Sequence, residues 1–344
     1  SAASDVYKRQ DQYLKFSKIV REIYMRYSSE VEAFGIDESW IELTGSPLLK
    51  ERTPHEIADE IRNTVKSEVG LTVSIGISFN KIFAKLGSDM KKPDAVTEIG
   101  RDTFRDQVWP LPVSDLLYVG RATAEKLGRY CIRTIGDLAN TERDILRSLL
   151  GINGEKIWAY ANGLDASRVM PCDYTPPIKS IGHGITCTAD LVSESEVRGV
   201  FLELSQDIGL KLRKQGLAAN GVRITVRDNT LSHRQYQCKL PFPTQSYLEI
   251  YDAGIDLFHR RYSWSNNIRS LTISAIDLIS ADTPVQLDLW TDMSKHKRRI
   301  RLEETIEDIR RRFGLHAINF AAAGSMKIPV QSDIEYKMPS VMYQ

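Results

Sequence analysis

No stretch of this 344-residue chain approaches the roughly 20 consecutive apolar residues that cross a bilayer, so it offers no helical membrane span. Its first residues show no charged, apolar and small-residue series of the secretory kind. Cysteine is scarce. Cys131, Cys172, Cys187 and Cys238 are scattered without C-x-x-C spacing, and are expected to be reduced and unliganded, as in the cytoplasm. Neither charge is in excess: 46 basic against 45 acidic residues leave +1. A nucleic-acid binder often carries more, so composition alone weighs against one, but distribution matters more than the sum. Lys295 to Arg301 holds five basic residues and no acidic one. There is no internal repeat. The chain opens on Ser1, has no Met before Met25, and shows no clear period over residues 1–10. The expectation is a fragment whose beginning lies upstream.

The length suits two to four domains. Tyr13, Phe16, Ile19, Val20, Ile23, Tyr24 and Tyr27 recur at three- and four-residue steps, which predicts an amphipathic helix. Val31 to Thr44 reads as two strands broken at Asp37-Glu38. Pro54 to Val69 is a helix with Thr53 as N-cap and Glu56 near N3. Leu71 to Ser78 reads as a buried strand, Asn80 to Met90 as a helix, and Ala95 to Ile99 as a short strand. That order predicts helices on one face of a mostly antiparallel sheet. Pro110 and Pro112 mark a boundary. Ser114 to Val169 then reads as short helices with Gly turns, and Tyr174 to Ile178 as an extended linker. Lys179 to Leu278 alternates strands with helices near Val197–Gln215 and Ser246–Tyr262, a second α+β domain. Thr283 to Trp290 is extended and Arg298 to Phe313 a charged helix.

Two constellations suggest phosphate chemistry. In Gly35-Ile-Asp-Glu-Ser-Trp-Ile-Glu-Leu-Thr44, Asp37 and Glu38 stand where one apolar strand turns into another. Adjacent carboxylates repel unless a cation sits between them, and oxygen ligands suit hard divalent ions such as Mg²⁺. Phosphoryl transfer uses such ions against triphosphate charge. A solvated Asp-Glu turn is the commoner meaning of a lone pair. Downstream, Ser74-Ile-Gly-Ile-Ser-Phe-Asn-Lys-Ile-Phe-Ala-Lys85 continues to Lys91-Lys92-Pro93-Asp94. Four lysines within a dozen residues suit phosphate contacts, though a solvated helix face would look alike.

Together these segments resemble the palm of Y-family (translesion) DNA polymerases. Gly35 stands for a usual Ser, Glu42 for an Asp and Ala95 for a Gly. The resemblance implies an α+β multidomain fold. Its parts are a partial palm (ferredoxin-like antiparallel sheet with helices) over 1–110, an all-α helix-hairpin-helix thumb over 111–170, a linker over 171–178, an α+β little finger over 179–280, and a C-terminal tail over 281–344. It implies Asp37 and Glu38 as catalytic metal ligands, with two Mg²⁺ in the complete enzyme, and Lys92 as the triphosphate contact. The family's remaining ligand lies in a first strand that cannot be placed in this chain.

Leu117 to Leu127 and Ile132 to Leu138 resemble a helix-hairpin-helix, in which backbone N–H groups at a helix start meet phosphate. Val119, Gly120, Arg121 and Thr123 are its expected DNA contacts, although Tyr118 replaces the usual first Gly and Cys131 a later one. A hairpin used only for packing fits the same residues. Lys179-Ser-Ile-Gly182 looks like the opening of the little finger, and Arg223, Thr225 and Arg227 share one strand face able to straddle a phosphate backbone. Lys179, Arg223 and Arg227 are the candidates there. Gln286-Leu287-Asp288-Leu289-Trp290 resembles the bacterial sliding-clamp pentapeptide, with Gln286 polar and Leu287, Leu289 and Trp290 apolar anchors.

The resemblance covers about residues 11–290 and the bacterial polymerase IV and polymerase V (UmuC-like) branches. It implies low-fidelity, Mg²⁺-dependent nucleotidyl transfer from dNTP to a primer 3′-hydroxyl in DNA damage tolerance. The implied partners of this cytoplasmic monomer are primer–template DNA, dNTP and the β sliding clamp, with no membrane. Two alternatives remain open: a non-catalytic DNA- and clamp-binding accessory or remnant, and a nucleotide cyclase with a palm-like sheet. The hairpin and the clamp peptide speak against the second.

Overall fold

The computed structural model describes residues 10–284, 293–314, 317, 318 and 320. The chain divides into two compact units, one running to Pro176 and the other starting at Pro177.

In the first unit, helix α1 (Gln10–Tyr24) precedes an antiparallel pair, β1 (Val31–Ala33) and β2 (Ser39–Ile41), with Val31 opposite Ile41 and Ala33 opposite Ser39. Helix α2 (Pro54–Val69) starts on a capping box, the Thr53 hydroxyl accepting from the Glu56 N–H while the Glu56 carboxylate accepts from the Thr53 N–H. It ends where Gly70 takes φ 74°, a left-handed turn that glycine adopts without strain. Its apolar stripe, Ile57, Ala58, Ile61 and Val65, is buried.

Strand β3 (Ile75–Ser78), helix α3 (Lys81–Met90) and strand β4 (Val96–Ile99) form a β-α-β unit. Here the sequence expectation needs correction in two respects. The β3–β4 pair is parallel, because a helix rather than a tight turn joins them. Leu71 to Ser74 lie outside the ladder, so the strand is half its expected length. The approach of α3 to β3 depends on Gly76. A Cβ there would lie 1.9 Å from the Ala84 carbonyl oxygen and 2.5 Å from the Ser88 nitrogen.

Helices α4 (Phe104–Val108), α5 (Arg121–Gly128), α6 (Ile135–Asn140), α7 (Arg143–Leu150) and α8 (Ile152–Ala161) follow. Their core residues, among them Leu116, Leu127, Ile135, Leu138 and Leu146, join Phe83 and Leu86 of α3 in one apolar cluster.

The second unit is a four-stranded antiparallel sheet in the order β5-β8-β6-β7, made of β5 (Ser180–Leu191), β6 (Leu217–Asp228), β7 (His233–Thr244) and β8 (Ile268–Ser280). Helices α9 (Glu194–Gln215) and α10 (Tyr247–Arg261) cover one face. Phe201, Leu204, Ile208, Ile250 and Phe258 pack there on Val222, Ile224, Leu271, Ile273 and Ala275. The alternate residues of the same strands, Arg223 and Thr225 on β6 and Thr272 and Ser274 on β8, face away from that core. Helix α11 (Met293–Phe313) begins five residues earlier than its charge pattern suggests.

Candidate active site and nucleic-acid interface

The connection between β1 and β2 is tight. The Glu38 carbonyl accepts from the Phe34 N–H at 2.9 Å and the Gly35 N–H at 3.3 Å, and the Phe34 ring lies 4.7 Å from that of Trp40. This closure places Asp37, exposed, and Glu38, half-buried, side by side at the end of the pair. Both line a cavity of about 1760 Å³, together with Phe16 and Tyr24 of α1, Ile75 of β3, and Lys85 and Lys92.

Helix α3 is the basic wall of this cavity. Asn80 caps it, its side-chain oxygen accepting from the Phe83 N–H at 2.8 Å. Lys85 Nζ lies 3.0 Å from Glu38 Oε1 and also pairs with Asp89. Burial works against the Lys85 ammonium, but the Asp89 and Glu38 carboxylates outweigh it and hold its pKa above that of an ordinary lysine. Burial likewise opposes the Asp89 carboxylate, yet Lys85 and Lys92 pull its pKa below the usual range. Lys92 is exposed and rests 2.7 Å from Asp89. One turn earlier on α3, Lys81 pairs with Glu32 of β1 at 2.7 Å and sits 4.5 Å above the Trp40 ring, whose indole N–H donates to the Lys81 carbonyl at 3.0 Å. The hairpin is thus tied to α3 at both lysines.

The structure brings Asp37, Glu38 and Lys92 to one cavity. The sequence reading overlooked Lys85 as the direct partner of Glu38. The available signal was its place four residues before Asp89 on a helix whose other face is apolar. Among the described residues, no group of three or more His, Cys, Asp or Glu side chains converges to hold a metal. Asp37 and Glu38 do offer the hard oxygen donors that a divalent ion prefers.

At the hairpin before α5, Gly120 is the N-cap and no side chain caps the helix start. A helix start free of a capping side chain is suited to an anion. Arg121 is 92% exposed and Thr123 half-buried. The Val119 side chain is buried, and its N–H donates to the Leu116 carbonyl at 3.0 Å. Tyr118, where a glycine was expected, adopts φ 70° and is 60% exposed, its ring 5.9 Å from that of Tyr160.

On the second unit, Lys179 and Arg227 are exposed and Arg223 half-buried. Arg223 donates to Gln237 Oε1 from Nε at 3.3 Å and Nη2 at 3.2 Å. Strand register shows what sequence alone missed. Gly182, Ser274, Arg223 and Gln237 form one row across four strands, and Gly184, Thr272, Thr225 and Gln235 the next. The glycines leave room for the facing hydroxyls, since a Cβ on Gly182 would lie 2.3 Å from Ser274 Oγ and one on Gly184 2.2 Å from Thr272 Oγ1, so either hydroxyl would have to turn away. The result is a polar face of small residues around two arginines, which a phosphate backbone could approach closely. The pentapeptide Gln286, Leu287, Asp288, Leu289 and Trp290 lies outside the described residues.

Residues 6–89 match the impB/mucB/samB family and residues 178–289 its C-terminal domain. DNA polymerase IV of Acetivibrio thermocellus is 42% identical over 306 residues, covering 89% of this chain and 76% of that protein. DNA polymerase IV of Clostridium kluyveri is 33% identical over 310 residues, covering 88% and 76%. The solved structure of a Y-family DNA polymerase chimera of Dbh and Dpo4 superposes with a TM-score of 0.66 at 18% identity, over 79% of this chain and 77% of that one, which shows a common fold. With relatives of this identity and coverage, the chain belongs to the impB/mucB/samB family, the bacterial Y-family of DNA polymerases.

Proposed function

We propose that this chain carries out translesion DNA synthesis: template-directed, low-fidelity transfer of a nucleotide from dNTP to a primer 3′-hydroxyl opposite damaged template. The observation that supports this most is the meeting of Asp37, Glu38, Lys85 and Lys92 on one cavity wall, in a chain whose relatives are named DNA polymerase IV. In the reaction the 3′-oxygen attacks the α-phosphorus, and the bond to the pyrophosphate oxygen breaks. Asp37 and Glu38 are the residues that would hold Mg²⁺. When bound, such ions neutralise triphosphate charge and favour the deprotonated 3′-hydroxyl. Lys92, exposed on the turn after α3, contacts the triphosphate as a point charge.

The other surfaces hold DNA by its backbone. Gly120, Arg121 and Thr123 offer donors at a helix start, and Lys179, Arg223 and Arg227 offer cations beside a flat sheet. Gln286 to Trp290 tethers the enzyme to the β sliding clamp. The protein works as a cytoplasmic monomer in the response to DNA damage, and among the described residues no helix is long and apolar enough to cross a membrane.

A non-catalytic DNA- and clamp-binding protein would use the same surfaces without the chemistry. Primer extension across an abasic site separates the two. In the product of the complete reading frame, Asp37→Ala or Glu38→Ala should abolish extension and leave DNA affinity within a few-fold. Extension near the unsubstituted rate by either variant refutes the metal-ligand roles.

A further inference from the structure

Helix α11 carries the basic run that no part of the proposed reaction uses. Its inner face is fixed to the second unit by buried charge. Glu303 is fully buried, and its carboxylate accepts from Ser246 Oγ at 2.6 Å, from the Tyr247 and Leu248 N–H groups at 3.0 and 3.2 Å, and from Arg213 Nη1 at 3.1 Å. It thereby serves the start of α10 as a cap supplied by another helix. Glu307 pairs with Arg213 of α9, and Ile306 is buried beside them. Nearer the helix start, Arg299 reaches Asp252 of α10 at 2.8 Å, and His296 lies 3.0 Å from Glu249 and 5.0 Å from the Phe242 ring. These contacts go to α9, α10 and the end of β7, not to the sheet face that carries Arg223 and Arg227.

The outward face differs. Lys297, Arg298 and Arg301 are all exposed, and none has an acidic partner among the described residues. Arg301 stands four positions after Lys297 and three after Arg298, so the three share one side of the helix, Lys297 and Arg301 about 6 Å apart along its axis. Of the other acidic residues here, Glu304 stands three positions on from Arg301, and Asp308 is engaged by Arg311 and Arg312 at 2.6 Å. Among the described residues, the one large apolar side chain exposed beside the three is Leu302. A protein partner would want an apolar centre, whereas a nucleic-acid interface is polar and strongly positive. Duplex DNA presents one negative charge about every 1.7 Å of axis, so a rigid array of three cations over one helical turn meets several phosphates at once.

We infer that the outward face of α11 is a second nucleic-acid-binding surface, contacting the DNA backbone through Lys297, Arg298 and Arg301, separate from the contacts proposed for the open sheet face. Its test is the anisotropy of a fluorescein-labelled duplex over a salt series, measured on the full chain. Lys297→Ala/Arg298→Ala/Arg301→Ala should weaken binding at least several-fold and flatten the slope of log affinity against log salt by about 2–3, near 0.9 for each lost phosphate contact. Arg298→Lys/Arg301→Lys, which keeps the charges, should retain most of both and guards against a folding defect in the triple variant. Arg223→Ala/Arg227→Ala tests the sheet face, and its effect should add to that of the triple variant. An unchanged slope in a folded triple variant overturns the second surface and leaves the sheet-face reading standing. Loss of the α11 effect once the sheet arginines are removed overturns their separateness. Failure of the unsubstituted chain to bind duplex overturns both.

Discussion

Lys85 and Glu38 lie 3.0 Å apart, so the carboxylate proposed to hold a metal ion is held by a lysine in this structure. The lysine is only 14% exposed and the glutamate 35%, so solvent screens the pair incompletely. A divalent ion at Glu38 therefore competes with the Lys85 ammonium, which can fall back on Asp89. Lys85→Met keeps most of the buried stem and removes that competitor. Mn²⁺ affinity, read by water-proton relaxation, should rise by up to about tenfold, the effect of a little over 1 kcal/mol on binding. An unchanged or weaker Mn²⁺ affinity would show that Lys85 does not compete for the site.

Gly76 sets the distance between β3 and the helix that carries Lys81 and Lys85. A methyl group there meets backbone, which cannot rotate aside as a side chain would. Gly76→Ala should cost about 3 kcal/mol, the upper part of the range for overpacking, and lower the melting temperature. Because α3 must lift to accept the methyl, Mn²⁺ affinity should change as well. A stable Gly76→Ala protein with unaltered metal binding would mean that the β3–α3 contact is looser than described.

Several carboxylates are held below their ordinary range. Lys66 and Arg62 do this for Asp94, each at 2.8 Å, and the two lysines for Asp89 against the effect of burial. A depressed folded-state pKa contributes stability that is present above the unfolded value and disappears as pH falls through the folded one. The loss should therefore begin near pH 4, the ordinary value for aspartate, and deepen below it. Asp94→Asn removes one of the groups and should flatten the acid limb of a stability-versus-pH curve, which chemical denaturation at a series of pH values would measure. If Asp94→Asn leaves that limb as steep as before, the Asp94 pairs contribute nothing to it.

What could be read without coordinates was local. Thr53 and Glu56 announce a capping box within four residues, and the Asp37-Glu38 turn stands between two short apolar runs. The period-two alternation of β6 put Arg223, Thr225 and Arg227 on one face. What stayed hidden depends on partners far along the chain. Gly182 is explained only by Ser274 in the facing strand, and the parallel β3–β4 pair only by the packing of α3 across it. Glu303 reads as one more charge in a charged helix, because Arg213 and Ser246, the residues that make its burial tolerable, lie 90 and 57 positions away.

In the sequence, Gln286 to Trp290 stands between β8, which ends at Ser280, and α11, which begins at Met293. Leu287, Leu289 and Trp290 are the spaced apolar anchors of an extended peptide, and an aromatic residue seated in a pocket commonly carries about 2 kcal/mol of binding energy. Trp290 should therefore be the first anchor and Leu287 the second. A core strand would show the same alternation, so two readouts are needed on Leu289→Ala/Trp290→Ala: clamp binding by calorimetry, and the melting temperature. A tether predicts that clamp binding is lost while the melt is unchanged. Retained clamp binding removes the tether, and a collapsed melt assigns the segment to the fold of the second unit.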